Sequence, residues 1–116
     1  MAIHADYPGL TVEIYVDGKP LEEFKNPEEE DVPKTTTRYV ECRSGAEFDI
    51  RTNFRPPFAP MDISIEAWLD GTRVSRRSAF KDAMMERTYV QSQTRWKEDG
   101  ALHACNFLFS DLSVGR

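Results

Sequence analysis

The stretch that decides the fold is Leu10-Thr11-Val12-Glu13-Ile14-Tyr15-Val16-Asp17-Gly18, residues 10–18 of the chain. Its apolar side chains at every second position have the period of a strand with one buried face. The Asp-Gly pair that ends it favours a two-residue hairpin turn, because both central residues of such a turn need positive φ. We therefore predict a strand that reverses at Asp17-Gly18 and pairs with residues 19–24.

The same turn chemistry recurs along the chain. Asp70-Gly71 separates the strand-like segments 62–69 and 72–78, and Asp99-Gly100 separates 88–96 from 101–109. Ser44-Gly45 has the same place between 36–43 and 46–54. Four hairpins give about eight short strands at the spacing typical of sandwiches and barrels. The prediction is an all-β chain: an antiparallel β-sandwich of about eight strands, jelly-roll-like, forming a single domain over 1–116.

Three segments depart from the strand pattern. Residues 1–8 carry no alternation and are predicted to form a loose N-terminal arm. Residues 25–34 contain two prolines and a run of acids, which predicts an acidic loop. Helix formers follow Ser78, a residue type favoured as an N-cap, so one short helix is expected near 79–86.

The charge of the chain is concentrated in its first half. The net charge of −5 over 116 residues argues against a general nucleic-acid binder, whose surface would be basic. Residues 1–58 hold twelve acids and seven bases, whereas 59–116 hold eight of each. The densest acids are Glu22, Glu23, Glu28, Glu29, Glu30 and Asp31. They would attract a basic partner such as a histone tail, or else form a solvated loop extended by self-repulsion.

A basic strand follows the Asp70-Gly71 turn. Arg73, Arg76 and Arg77 lie on it, and in a regular strand Arg73, Ser75 and Arg77 share one face. Such a face recognises phosphate or carboxylate. It could instead pair with the acidic loop, in the same molecule or head to tail in a homo-oligomer, or it could be a charged edge strand that discourages pairing.

Trp68 is predicted to point away from the core. Ile63, Ile65, Ala67 and Leu69 alternate on the inner face of the preceding strand, so Trp68 belongs to the other face. Either something covers that face or Trp68 is an exposed anchor for a partner. With the acids and arginines above, it completes the set of candidate partner-binding residues.

Catalytic and metal-binding patterns are weak. His103 and Cys105 share a strand face and could form a nucleophile pair, alone or with Cys42; the alternative is a small core cysteine beside a surface histidine. The sequence therefore predicts no enzyme, no cofactor and no metal. The start of the chain is not a signal peptide and no apolar run could span a membrane, so we expect an intracellular protein, nuclear or cytoplasmic, with free thiols.

The order of these pieces resembles one family. The matching residues are 9–18, Leu21-Glu22-Glu23-Phe24, the acidic stretch up to Asp31, 37–41, 44–48, Asp70-Gly71 and 107–112. On these residues the chain is similar to a large, mostly uncharacterised group of fungal proteins with an N-terminal β-rich domain of unknown function. The resemblance implies a β-rich fold and no catalytic residues to carry over.

We expect a non-catalytic protein-interaction or assembly module that engages a basic or complementary protein partner. One alternative is an oligomeric core like that of nucleoplasmin-like histone chaperones, which have a similar size and an acidic loop; this analogy is at the level of the fold. The other is a carbohydrate-binding jelly roll, in which aromatic side chains form a stacking platform: Tyr15, Tyr39, Trp68, Tyr89 and Trp96.

Overall fold

The computed structural model describes residues 2–3, 7–29 and 32–109. All strand pairs in this part of the chain are antiparallel, which confirms the all-β class. Its strands are β1 (Leu10–Val16), β2 (Lys19–Pro20), β3 (Glu23–Phe24), β4 (Tyr39–Val40), β5 (Asp49–Phe54), β6 (Ile63–Leu69), β7 (Thr72–Ala79), β8 (Thr88–Gln91), β9 (Gln93–Glu98) and β10 (Ala101–Asn106). These ten replace the expected eight because two predicted strands are each interrupted, at 21–22 and at Ser92.

The three Asp-Gly hairpins are confirmed. They join β1 to β2, β6 to β7 and β9 to β10, each through a loop of two residues. All six turn residues have positive φ, between 50° and 80°. That is the type I′ geometry, whose twist matches that of the flanking strands.

The predicted hairpin at Ser44-Gly45 is wrong. β4 pairs with β3, while β5 pairs with β1 from Leu10↔Phe54 to Tyr15↔Asp49 and with β8 on its other side. These two long-range pairings satisfy the backbone groups of both edges of β5, which a single hairpin would not do. Gly45 instead donates its N–H to the carbonyl of Phe109 at 2.8 Å.

The core lies between the four-stranded sheet, of order β2-β1-β5-β8, and the β6–β7 hairpin. Phe54 and Tyr89 are fully buried and meet edge to face, with ring centroids 5.8 Å apart. Ala79 and Met84 complete the buried cluster. The described strands thus form one four-stranded sheet and three two-stranded ribbons, and the jelly-roll arrangement stays a prediction.

The expected short helix is reduced to one 3-10 turn, Met84–Glu86. Ser78 is not an N-cap, because β7 continues through Ala79, which pairs with Ile63 and is completely buried. Residues 81–83 form a turn instead, and only Met84–Glu86 are helical. Met84 lies in this turn and fills the core.

The described part of the predicted loose arm contacts the rest of the domain. Ala2 and Val12 of β1 exchange two backbone hydrogen bonds of 2.9 and 3.2 Å.

In the acidic loop, Val32 and Thr35 form an isolated bridge. No helix of the described ranges is long and apolar enough to cross a membrane.

Candidate functional site

The main candidate site is a cleft of about 570 Å³ between β7 and the consecutive strands β8 and β9. Its lining residues are Arg73, Val74, Ser75, Arg76, Arg77, Val90, Gln91, Ser92, Gln93 and Arg95. Four of these ten are arginines and none is acidic. A chain with a net charge of −5 thus concentrates positive charge in one concave surface, which we call the arginine cleft.

A β-bulge decides which way these arginines face. Ala67 pairs with Ser75 and Trp68 pairs with Arg73, so Val74 is an extra residue in β7. Such an extra residue reverses the alternation of side chains beyond it. The prediction that Arg73, Ser75 and Arg77 share one face is therefore wrong: Arg73 joins Arg76 on the outer face.

The outer face of the β6–β7 hairpin carries an exposed polar cluster. Trp68 points away from the core as predicted and is 59% exposed, and its indole N–H donates to Glu66 at 3.3 Å. Arg73 binds the other oxygen of the same carboxylate at 3.2 Å. The hydrogen bonds from Arg73 and then Trp68 stabilise the charged form, and so they lower the pKa of Glu66.

The remaining arginines have uncharged partners. Arg76 donates to the hydroxyl of Ser64 at 3.1 Å, and Arg95 donates to the side-chain oxygen of Gln93 at 3.3 Å. Arg77 donates to the backbone carbonyl of Val90 on β8 at 3.0 Å. Among the described residues, Glu66 is the only carboxylate that pairs with any of the four cleft arginines, and it pairs with Arg73. The cleft therefore carries excess positive charge.

Gln91 forms the floor of the cleft. It is buried, and its amide donates both to the backbone carbonyl of Ile65, at 3.1 Å, and to the hydroxyl of Ser75, at 3.0 Å. Buried polar groups that are fully bonded rigidify the elements they join. Gln91 therefore fastens the β6–β7 hairpin to the four-stranded sheet and holds the two walls of the cleft in place.

The chemistry of this cleft is anion recognition. Guanidinium groups present several N–H donors in a planar fork that fits carboxylate and phosphate oxygens. Histidine, cysteine and carboxylate side chains are not among the residues that line it. The cleft therefore offers groups that bind an anion and no group that would exchange protons with it near neutral pH.

The acidic loop is only partly described. Glu30 and Asp31 lie outside the described residues, and Glu23 belongs to β3. Glu22, Glu28 and Glu29 are exposed. The amide of Glu28 donates to the side-chain oxygen of Asn26 at 3.0 Å, and that of Glu29 donates to the backbone carbonyl of Asn26 at the same distance. The segment around Glu28 is therefore held in a defined turn.

The carboxylate of Glu29 has a further partner. The hydroxyl of Tyr39 donates to it at 2.5 Å. This hydrogen bond raises the pKa of Tyr39, because it stabilises the neutral phenol beside a negative charge. Tyr39 thereby links β4 to the acidic loop.

Comparison with known proteins places the chain in a family. Residues 9–116 match the family described as a domain of unknown function, DUF7918. The chain belongs to the DUF7918 family. This confirms the resemblance to an uncharacterised family and carries no activity with it. Comparisons with curated proteins and with solved structures give no match.

The other candidates are scattered over this DUF7918 domain. His103 stacks on Trp96, with ring centroids 5.5 Å apart and planes 17° apart. Cys105 is exposed rather than in the core, and its thiol lies 3.8 Å from the carbonyl oxygen of Asn106. Tyr89 is buried, so it offers no face for a sugar. The described residues contain no cluster of metal-ligating side chains.

Proposed function

We propose that this DUF7918 domain is a non-catalytic protein-interaction module that binds an acidic segment of a protein in its arginine cleft. The observation that carries the proposal is the lining of that cleft, with four arginines and no acid. Carboxylates of a partner would replace the water around these guanidinium groups with charge-assisted hydrogen bonds. Association would also be accelerated by the field of the cleft.

The size of the cleft favours a chain segment over a single small anion. Its 570 Å³ is in the range of sites that enclose whole ligands, far above one phosphate group. Exposed Trp68 lies next to Arg73 across the strand pair, just outside the cleft. Tryptophan and arginine are the residue types that dominate the energetics of protein interfaces.

A labelled acidic peptide tests the proposal. A fluorescein-labelled oligomer of glutamate is titrated with the domain and binding is followed by fluorescence anisotropy. We expect the double variant R76Q/R95Q to bind at least about tenfold more weakly, at roughly 1 kcal/mol for each lost ionic contact. These two arginines are chosen because their hydrogen bonds to Ser64 and Gln93 are exposed to water.

The matched control is R43Q/R87Q, which removes the same charge from exposed positions outside the cleft. It should bind the peptide nearly as the unchanged domain does. Equal weakening by the two double variants would mean that net charge rather than the cleft attracts the peptide. No binding of the peptide at low salt to a domain that is monomeric under the same conditions would contradict the proposal outright.

A second candidate function uses the acidic loop. The exposed carboxylates of Glu28 and Glu29 favour a basic partner such as a histone tail, as in the nucleoplasmin-like alternative. Pull-down of histones that is lost in E28Q/E29Q would support it. For both candidate functions we also propose a fungal origin and a nuclear or cytoplasmic location. A glycan array without hits would exclude the carbohydrate-binding alternative.

A further inference from the structure

We infer that the arginine cleft receives the acidic segment of a second copy of this chain, so that DUF7918 domains assemble through their own complementary surfaces. By acidic segment we mean residues 22–29. The inference rests on the proposed function and adds the identity of the partner.

Charge complementarity within one chain is the first observation. The acidic excess lies entirely in residues 1–58, whereas every arginine of the cleft lies in 59–116. The cleft and the acidic segment therefore carry opposite net charges. A second copy brings to each cleft a segment whose carboxylates match the guanidinium groups, and every copy supplies one segment and one cleft.

The second observation is that, within one copy, the described partners of the cleft arginines lie outside the acidic segment. The partners of the cleft arginines are Glu66, Ser64, Val90 and Gln93. None of these belongs to residues 22–29. Glu28 and Glu29 are exposed, and the carboxylate of Glu29 accepts from the uncharged hydroxyl of Tyr39 rather than from a cleft arginine.

The third observation is that the acidic segment is already ordered. The turn at Asn26 and the hydrogen bond from Tyr39 fix the backbone near Glu29. A preorganised segment loses less conformational entropy when it docks. Copies joined through two different surfaces form a ring or an open chain. Two copies that each place their acidic segment in the cleft of the other form a closed dimer.

Sedimentation velocity tests the assembly. At protein concentrations of about 100 µM and salt of about 0.05 M, the unchanged domain should sediment as a dimer or larger species. The sedimenting species should shift toward the monomer at about 0.5 M salt, because the attraction between opposite charges is then screened beyond a few ångströms. A monomer under the low-salt condition would overturn the inference.

Mixing two defective variants gives the sharper test. R76Q/R95Q keeps the acidic segment and loses two of the four cleft arginines; E22Q/E28Q/E29Q keeps the cleft and loses three of the four glutamates of the segment. Each alone should be largely monomeric, yet an equimolar mixture should form a complex, because each variant retains the half that the other lacks. The control R43Q/R87Q should assemble like the unchanged domain. Assembly of E22Q/E28Q/E29Q by itself would overturn the inference.

The same variants separate this inference from the proposed function. E22Q/E28Q/E29Q has an unoccupied cleft, so it is the proper protein for the glutamate peptide titration. Peptide binding by this variant, with an unchanged domain that stays monomeric, would reject the second copy as the partner and leave the proposed function intact. Absence of peptide binding would reject the proposed function itself.

Discussion

Replacement of Gln91 with Met should destabilise the domain by about 2 kcal/mol. The side chain is 4% exposed and makes two hydrogen bonds, of 3.1 and 3.0 Å, to Ile65 and Ser75. Each such bond contributes about 1 kcal/mol net, and Met nearly keeps the volume, so the cavity term is small. With an unfolding entropy of roughly 2 cal/mol/K per residue over a chain of this length, Tm should fall by about 8 °C.

Thermal unfolding followed by circular dichroism measures this difference. The matched control is Gln93→Met, since Gln93 also donates to a side chain, Asn106 at 2.7 Å, but at the surface. There the loss should stay below about 0.5 kcal/mol, because water replaces the partner. A cycle with Ser75→Ala should show that the two substitutions are not additive. If Gln91→Met and Gln93→Met lower Tm equally, Gln91 does not fasten the hairpin to the sheet.

Three further predictions concern particular backbone and side-chain contacts. Gly9→Ala would place a Cβ 1.8 Å from the carbonyl oxygen of Arg55 and should cost about 3 kcal/mol or more in a chemical denaturation experiment. Gly71→Ala meets open space but keeps a φ of 80°, so the same experiment should show a loss of only about 1 kcal/mol; equal losses at both positions would contradict this assignment. The pKa of Tyr39 is raised by Glu29, so the stabilising hydrogen bond is present below the ordinary phenol pKa and is lost as pH rises through the folded value. Absorbance titration at alkaline pH should show this pKa moving down in Glu29→Gln, and no movement would count against the hydrogen bond.

Local sequence signals predict the Asp-Gly hairpins but not the pairing of strands that are distant in the sequence. Each Asp-Gly pair requires positive φ at its own two residues, so the sequence around it is enough to place the turn. The choice of β5 as the partner of β1 depends instead on a register of six residue pairs between strands that are far apart in the sequence. No residue near Ser44-Gly45 indicates that choice, so the local turn signal there predicts a hairpin that does not form.

Local sequence signals likewise predict only part of the candidate site, because the rest of it comes together only through contacts between distant strands. Arg73, Arg76 and Arg77 stand together in the sequence, so their charge was visible as a cluster. Arg95 and Gln91 come from strands that meet β7 only in the fold. The burial of Gln91 had one local signal, since it follows Tyr89 at the strand period of two. The bulge at Val74 left no signal, because it depends on the register with β6.

The three type I′ hairpins also set an order of events during folding. Each closes through two residues, and hairpins form in roughly 1–10 µs, so these three units can appear early. The pairing of β1 with β5 and of β5 with β8 joins residues about forty positions apart and must come later. The arginine cleft has one wall from an early hairpin and the other wall from β8 and the β9–β10 hairpin. It therefore exists only once the slow steps are complete, which makes acidic-peptide binding a kinetic reporter for the last stage of folding.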